Sequence, residues 1–202
     1  MANASGYPAD VDPDSGFRLP LPKREALDEE GQRLYDRLLD PKGGTIKGLR
    51  GPAGIRLYSP KSSHYGQLLN RYLRFEAGLG ARVREIAILA TAREFDSQFE
   101  WAAHEPEALK EGVSRDIVDV IKHRKGTAGL DEADATVIEL GREMFRVKQV
   151  SSRTFARALK QFGPRGLVDL VSLMGNYAAT AALLTAFGMQ LDPGEEPLLP
   201  VP

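Results

Sequence analysis

The sequence from residue 84 to residue 106 reads REIAILATAREFDSQFEWAAHEP, and its pattern decides the fold that we expect. Apolar residues recur at the three- and four-residue spacing of a helix from about Ala81 to the Phe95–Asp96 step. The same period resumes at Ser97 and ends at Gly112. We therefore predict two helices that are joined by a tight turn at the Phe95–Asp96 step.

Helical periodicity continues on both sides of this stretch. A first helix is predicted over residues 27–39, where leucines recur on one face. Helix starts, each with a capping residue or a proline in the first turn, are predicted at Ser59-Pro60, Ser114, Asp131, Ser151 and Pro164. No segment alternates apolar and polar residues as a half-buried strand does. The sequence therefore predicts an all-α fold of at least six helices.

Proline-rich segments flank the helical region. We divide the chain into an extended N-terminal arm (residues 1–24), a helical domain (25–190) and a Pro-rich C-terminal tail (191–202). Such arms are either disordered or wrapped over a neighbour. Within the helical domain, residues 41–54 hold five glycines and two prolines, which predicts a flexible loop.

The composition excludes several classes of function. The 202 residues include no cysteine, which excludes disulfides, thiolate metal sites, iron–sulfur clusters and thiol nucleophiles. The formal net charge of −1 provides no surplus of basic residues for nucleic acid or an anionic membrane. Residues 1–14 lack the basic stretch and apolar run of a signal peptide. We expect a cytoplasmic protein that binds a small molecule and neither nucleic acid nor membrane.

The last predicted helix is unusually apolar. Residues 170–187 carry no charge, but they are rich in Ala, Ser, Thr and Gly and include Asn176, which makes a membrane span unfavourable. A helix that is apolar nearly all round is buried on several sides. In a chain this small, oligomerisation is the simplest way to achieve that burial. We therefore expect a homo-oligomer, either a dimer or a trimer of dimers.

Polar residues cluster on one face of the predicted hairpin. Four side chains of its second helix fall within about 100° of one another: Ser97, Glu100, Trp101 and His104. Glu100 and His104 are four residues apart, so their side chains can meet. A reversal at the turn brings Glu85 opposite His104. Two carboxylates and an imidazole that converge form a plausible proton-transfer device, whereas the alternative is a Glu–His pair on a solvated face.

The same residues resemble the pattern of the carboxymuconolactone decarboxylase and alkylhydroperoxidase D superfamily. That pattern has a glutamate on one helix, a C-x-x-C pair that begins twelve residues later, and a histidine four residues after the second cysteine. Glu85 and His104 match the glutamate and the histidine, while Ser97 and Glu100 match the two cysteines. The resemblance spans residues 27–190 and implies an alkylhydroperoxidase D-like helical bundle.

The replaced cysteines limit the activities that the resemblance implies. Family members with thiol peroxidase activity use both cysteines, and neither Ser97 nor Glu100 can form a thiolate. The remaining pattern, without the cysteines, resembles the lactone decarboxylase branch, whose members need no metal or organic cofactor. The resemblance therefore implies a cofactor-independent lyase that acts on a small carboxylated lactone or another intermediate of aromatic compound catabolism.

The resemblance and the chemistry together suggest a role for each site residue. Loss of CO₂ leaves an enolate-type anion that must be protonated, and His104 suits that step. Glu100 would orient His104, and Glu85 would orient it or relay a proton.

Substrate contacts are expected from three further side chains. Ser97 and Trp101 would form the pocket wall, although Trp101 is equally well explained as a core or interface aromatic. An arginine is expected to hold the substrate carboxylate, because its fork matches carboxylate geometry. We name Arg84 for this role, with Arg71 and Arg56 as further candidates.

Three alternatives stay open at this point. The same scaffold could support another proton-transfer reaction, such as isomerisation or hydrolysis. The chain could also be a non-catalytic member that serves binding or assembly. Glu85, Glu100 and His104 could ligate a metal, but three oxygen and nitrogen ligands without a known motif make a weak case, so no metal is expected.

A peroxidase assay tests the exclusion of thiol chemistry. Because the chain has no sulfur nucleophile, the purified protein should show no dithiol-dependent turnover of hydroperoxides. The rate of peroxide loss with dithiothreitol should equal that of a protein-free control. A protein-dependent rate that saturates with dithiol would contradict the exclusion.

Overall fold

A computed structural model describes residues 6–40 and 45–200. Among these residues the chain forms eight α-helices and no strand, so the all-α prediction is confirmed. The helices are α1 (Glu29–Leu39), α2 (Pro52–Arg56), α3 (Pro60–Arg71), α4 (Ala81–Glu94), α5 (Gln98–Lys110), α6 (Arg115–Lys122), α7 (Glu132–Arg142) and α8 (Ser152–Ala186). Two π-helical turns extend α3 and α7, at Tyr72–Glu76 and Glu143–Val147. The helical hairpin is also as predicted, since α4 ends and α5 begins on either side of the Phe95–Asp96 step.

The chain divides into two compact units. The first contains Met1–Leu69 and Ala182–Glu196, and the second contains Asn70–Ala181 and Pro197–Pro202. The hairpin and the site residues predicted on it lie in the second unit, whereas the further candidate Arg56 lies in the first.

In the first unit, the N-terminal segment is held against residues near the end of the chain. The backbone N–H of Arg18 donates to the carbonyl of Phe187 (2.9 Å), and the N–H of Gln190 donates to the carbonyl of Gly16 (2.9 Å). Phe17, which lies between these two hydrogen-bonded residues, is fully buried. The described part of the predicted arm is therefore packed within its own chain.

The predicted loop over residues 41–54 is only partly a loop. Residues 41–44 lie outside the described residues. α2 begins at Pro52, and Ile55 within it and Leu57 after it are buried. The glycines and prolines of this segment predicted a loop. Pro52, however, stands in the first turn of α2, where proline is favourable.

α4 forms the centre of the second unit. It packs against α5, α6 and α7, and every residue from 84 to 93 is buried. Side chains such as Ile86, Ile88 and Leu89 are fully buried, and each stabilises the fold by about 1.5–3 kcal/mol. Because α4 is buried on all sides, any charged side chain along it needs a partner inside the protein.

The C-terminal tail also contributes to the second unit. The side-chain amide of Gln98 donates to the carbonyl of Leu199 (2.7 Å) and accepts from its N–H (3.0 Å). Leu199 itself is buried in the same hydrophobic core as α4. An amide side chain can pair with both backbone groups in this way because it carries a donor and an acceptor.

By length and composition, α8 is the one helix of the described chain that could cross a membrane, and half of its most apolar stretch is buried within the protein. We therefore keep the interpretation of a core helix. The sequence pattern predicted that α8 is buried on several sides, but its Val168 is 64% exposed. Apolar side chains of α3 are exposed too, and Tyr65 is 61% exposed. Exposed apolar side chains can form an interface between copies of the chain, and the homo-oligomer stays a prediction.

α8 is divided at Gly163, whose φ of 66° and ψ of 175° are accessible essentially to glycine alone. The two parts correspond to the two helices that the sequence predicted before and after Pro164.

Replacing Gly163 tests this backbone requirement. A Cβ at Gly163 would meet no atom within 4 Å, so Gly163→Ala should act only through the backbone and lower the free energy of unfolding by about 1–3 kcal/mol. Gly175→Ala is the matched control, because Gly175 is helical and exposed with the same open surroundings, and it should be neutral or stabilising. Urea denaturation measures both. Equal changes in the free energy of unfolding for the two substitutions would contradict the requirement for glycine at residue 163.

Candidate active site

The hairpin turn sets the register between α4 and α5. Asp96 adopts a left-handed conformation (φ 49°), which aspartate tolerates better than most residues, and its carboxylate pairs with the guanidinium of Arg93. The N–H of Ser97 donates to the carbonyl of Ala92 (2.9 Å), which closes the turn. From this turn the two helices run back along each other, so Glu85 in the first half of α4 meets His104 at the middle of α5.

Glu85 and His104 form a buried hydrogen-bonded pair. Nδ1 of His104 lies 2.8 Å from Oε2 of Glu85, and the two residues are 4% and 1% exposed. An ionised carboxylate can only accept, so a hydrogen bond to it places a proton on Nδ1. In the neutral imidazole this leaves Nε2 as the acceptor nitrogen.

The environment of Glu85 favours its charged form. Burial by itself raises the pKa of the Glu85 carboxyl. The hydrogen bond and charge of His104, the hydrogen bond from Arg84 and the charge of Arg74 act in the opposite direction and outweigh burial. The pKa of Glu85 therefore lies below its ordinary value of 4.5, and the carboxylate is ionised at neutral pH.

Glu100 lies on the other side of the imidazole. Its Oε2 is 3.9 Å from Nε2 of His104, and the residue is 5% exposed. The carboxylate that accepts the orienting hydrogen bond is thus that of Glu85, whereas the sequence pattern had favoured Glu100 as the orienting residue. Glu100 instead lies next to the nitrogen that can exchange a proton with a substrate.

Tyr177 packs its ring edge-to-face against His104, at 5.2 Å between ring centroids and 86° between planes. Burial raises the pKa of the Tyr177 phenol well above its ordinary value, so the ring stays neutral beside the imidazole. Sequence reasoning assigned Tyr177 no role at the site. Nothing in the spacing indicates that this tyrosine of α8 reaches a histidine of α5.

Arg84 belongs to the site, and two of its donors are hydrogen-bonded within the protein. Its Nε donates to Oε1 of Glu85 (3.1 Å), and its Nη1 donates to the backbone carbonyl of Arg74 (2.9 Å). Its Nη2 lies 3.9 Å from the carboxylate of Glu111. These contacts make Arg84 a positioning residue for Glu85, and they do not support its expected role in substrate binding.

Arg74 is the site residue that sequence reasoning missed. Its Nη2 lies 3.9 Å from Oε1 of Glu85, and its side chain is 13% exposed. It lies in the π-helical turn at the end of α3, where the N–H of Ala77 donates to the carbonyl of Tyr72 (2.8 Å) across five residues. A π-helical turn departs from the 3.6-residue period, so a helical projection does not predict where Arg74 points.

The two remaining predicted residues are placed differently. Ser97 is buried at the start of α5, and seven residues separate it from His104, which is about 10 Å along the helix. Trp101 is fully buried in the hydrophobic core, its indole N–H donates to Glu105, and the ammonium of Lys122 lies 5.6 Å from the ring centroid. These contacts favour the core interpretation of Trp101 over a pocket wall.

The comparisons with known proteins give the site no name. A scan of the chain against protein-family models found no match, and a search of curated proteins found no significantly similar sequence. In the described part of the chain, no group of three or more His, Asp or Glu side chains is arranged to hold a metal ion. The site itself consists of an oriented imidazole beside two carboxylates and two guanidinium groups.

A pH-dependent stability comparison tests the state of Glu85. Because the pKa of Glu85 is lowered in the folded protein, its ionised form stabilises the fold above pH 4.5, and this contribution is lost as the pH falls through the folded-state pKa. Glu85→Gln should therefore cost about 1–3 kcal/mol at about pH 7 and progressively less toward about pH 3. Urea denaturation of both proteins across this range measures the difference. A difference that does not change with pH would contradict an ionised Glu85.

Proposed function

We propose that the chain is a cofactor-independent, decarboxylase-like enzyme that uses His104 for proton transfer. The observation that carries the proposal is the 2.8 Å contact between Glu85 and Nδ1 of His104, which leaves Nε2 beside Glu100 at 3.9 Å. A carboxylate that fixes the tautomer and orientation of an imidazole is a recurring device of general acid–base catalysis. The resemblance of this stretch to the carboxymuconolactone decarboxylase pattern supports the same residues.

The proposed substrate is a small carboxylated lactone or a related ring-cleavage product. The bond between its carboxylate carbon and the adjacent carbon breaks, CO₂ leaves, and the electron pair passes into the conjugated lactone as an enolate-type anion. Nε2 of the His104 imidazolium then donates its proton to carbon. The reaction consumes one proton overall, so solvent restores the imidazolium before the next turnover. During this cycle Glu85 stays ionised and stabilises the imidazolium through Nδ1.

The position of Glu100 also favours a second candidate function. A carboxylate and an imidazole nitrogen on the same side of a substrate can remove a proton at one carbon and return it at another, which is what an isomerase requires. No CO₂ would be released in that case. We propose isomerisation as the alternative on this observation. For either reaction we propose a cytoplasmic homo-oligomer without a metal or organic cofactor.

Substitution of His104 tests both candidates. On a panel of carboxylated lactones and enol acids from aromatic degradation, His104→Gln should lower kcat by roughly 10²–10⁴-fold while the far-UV circular dichroism stays unchanged. His123→Gln is the matched control, because His123 lies at the end of α6, is exposed and pairs with Asp119 (3.1 Å). It should leave turnover unchanged.

The two readouts of this assay separate the candidates. CO₂ release with the wild-type protein supports the decarboxylase, and substrate rearrangement without CO₂ supports the isomerase. Glu100→Gln should impair the isomerase more severely, because that reaction needs the second group beside Nε2. Full activity of His104→Gln would overturn the proposal in both forms.

A further inference from the structure

We infer that Arg74 is the residue that binds the carboxylate of the substrate. This inference rests on the proposed function for the identity of the site, but not on the reaction that occurs there. It assigns to the π-helical turn after α3 the anion-binding role that the sequence pattern had suggested for Arg84.

Arg74 has hydrogen-bonding capacity that its neighbours do not use. Its Nε is buried and has no hydrogen-bond partner among the described residues. Glu85, the nearest carboxylate, already accepts from Arg84 and pairs with His104, so its contact with Arg74 is a charge interaction at 3.9 Å. Buried donors without a partner are rare in folded proteins, and each calls for an explanation. A bound anion supplies one.

Arg74 contacts both a buried carboxylate and an exposed aromatic ring. The carboxylate is that of Glu85, which is 1% exposed. The ring is that of Phe75, which is 66% exposed and whose ring centroid is 5.1 Å from the guanidinium carbon of Arg74. The guanidinium of Arg84 lies 5.6 Å from the centroid of the same ring. An anion that docks against the ring of Phe75 therefore lies close to two guanidinium groups.

These surroundings define the chemistry of the ligand. A guanidinium presents donors in a planar fork that matches a carboxylate, and the exposed face of Phe75 favours a flat, unsaturated body next to that carboxylate. The ligand class is thus a small, planar carboxylate. Arg71 does not meet these conditions, because its side chain is 75% exposed and pairs with Glu76 (3.0 Å). Arg56 belongs to the first compact unit, and we assign it no part in the site.

Benzoate is a suitable probe, and benzamide is its uncharged control. Only three histidines occur in the chain, so the ring protons of His104 can be identified by NMR through comparison with His104→Gln. Benzoate should shift the His104 resonances of the wild-type protein in a saturable manner at concentrations up to about 20 mM, and benzamide should not. Arg74→Gln should weaken benzoate binding by roughly tenfold to hundredfold.

Two further variants make the result specific. Arg71→Gln removes a neighbouring charge that pairs with Glu76, and it should bind benzoate like the wild type. Arg74→Lys keeps the charge without the planar fork and should bind with an intermediate affinity, which also provides a reading if Arg74→Gln does not fold.

The outcomes separate this inference from the proposed function. Unchanged benzoate binding by Arg74→Gln and Arg74→Lys, equal binding of benzamide, or no binding by the wild type would each overturn the assignment of Arg74. If binding depends on Arg74 while His104→Gln keeps full turnover, the anion site stands and the catalytic role of His104 fails. If His104→Gln is inactive while both Arg74 variants bind like the wild type, only the anion site fails.

Discussion

Glu85 lies on α4 near the start of its buried stretch, which runs from Arg84 to Arg93. Removing a buried carboxylate's partners costs about 3–5 kcal/mol, so the surrounding elements have to supply partners for it. His104 comes from α5, Arg84 from the same helix and Arg74 from the turn after α3. The register of the hairpin and the placement of that turn therefore both depend on neutralising one charge.

The groups that neutralise Glu85 are the same groups that give the site its chemistry. The hydrogen bond that satisfies the carboxylate also fixes the orientation of the His104 ring and directs Nε2 toward Glu100. Arg84 holds Glu85 and, through the carbonyl of Arg74, the π-helical turn. Under the proposed function, stability and proton transfer are coupled at this position, because a substitution that disturbs one partner of Glu85 changes the orientation of the others.

Much of the fold was predictable because its signals are local. The α4–α5 hairpin, the cap at Ser114 and the division of α8 before Pro164 all follow from residues within a few positions of each other. α2 was missed because five helical residues with a proline and a glycine look like a loop by composition. Trp101 was predicted on the correct helix, but its indole N–H is hydrogen-bonded to Glu105. A helical projection alone does not distinguish such a core position from a pocket wall.

The sequence by itself determined the all-α class, the absence of thiol chemistry and the pairing of Glu85 with His104, since a helical period and a short turn leave one register for these two residues. Only the tertiary structure decided which carboxylate orients the imidazole, how Tyr177 of α8 contacts it, and that Nε of Arg74 is buried without a hydrogen-bond partner among the described residues. These features depend on contacts between residues that are distant in sequence and on a π-helical turn that departs from the regular period. Neither leaves a local pattern in the chain.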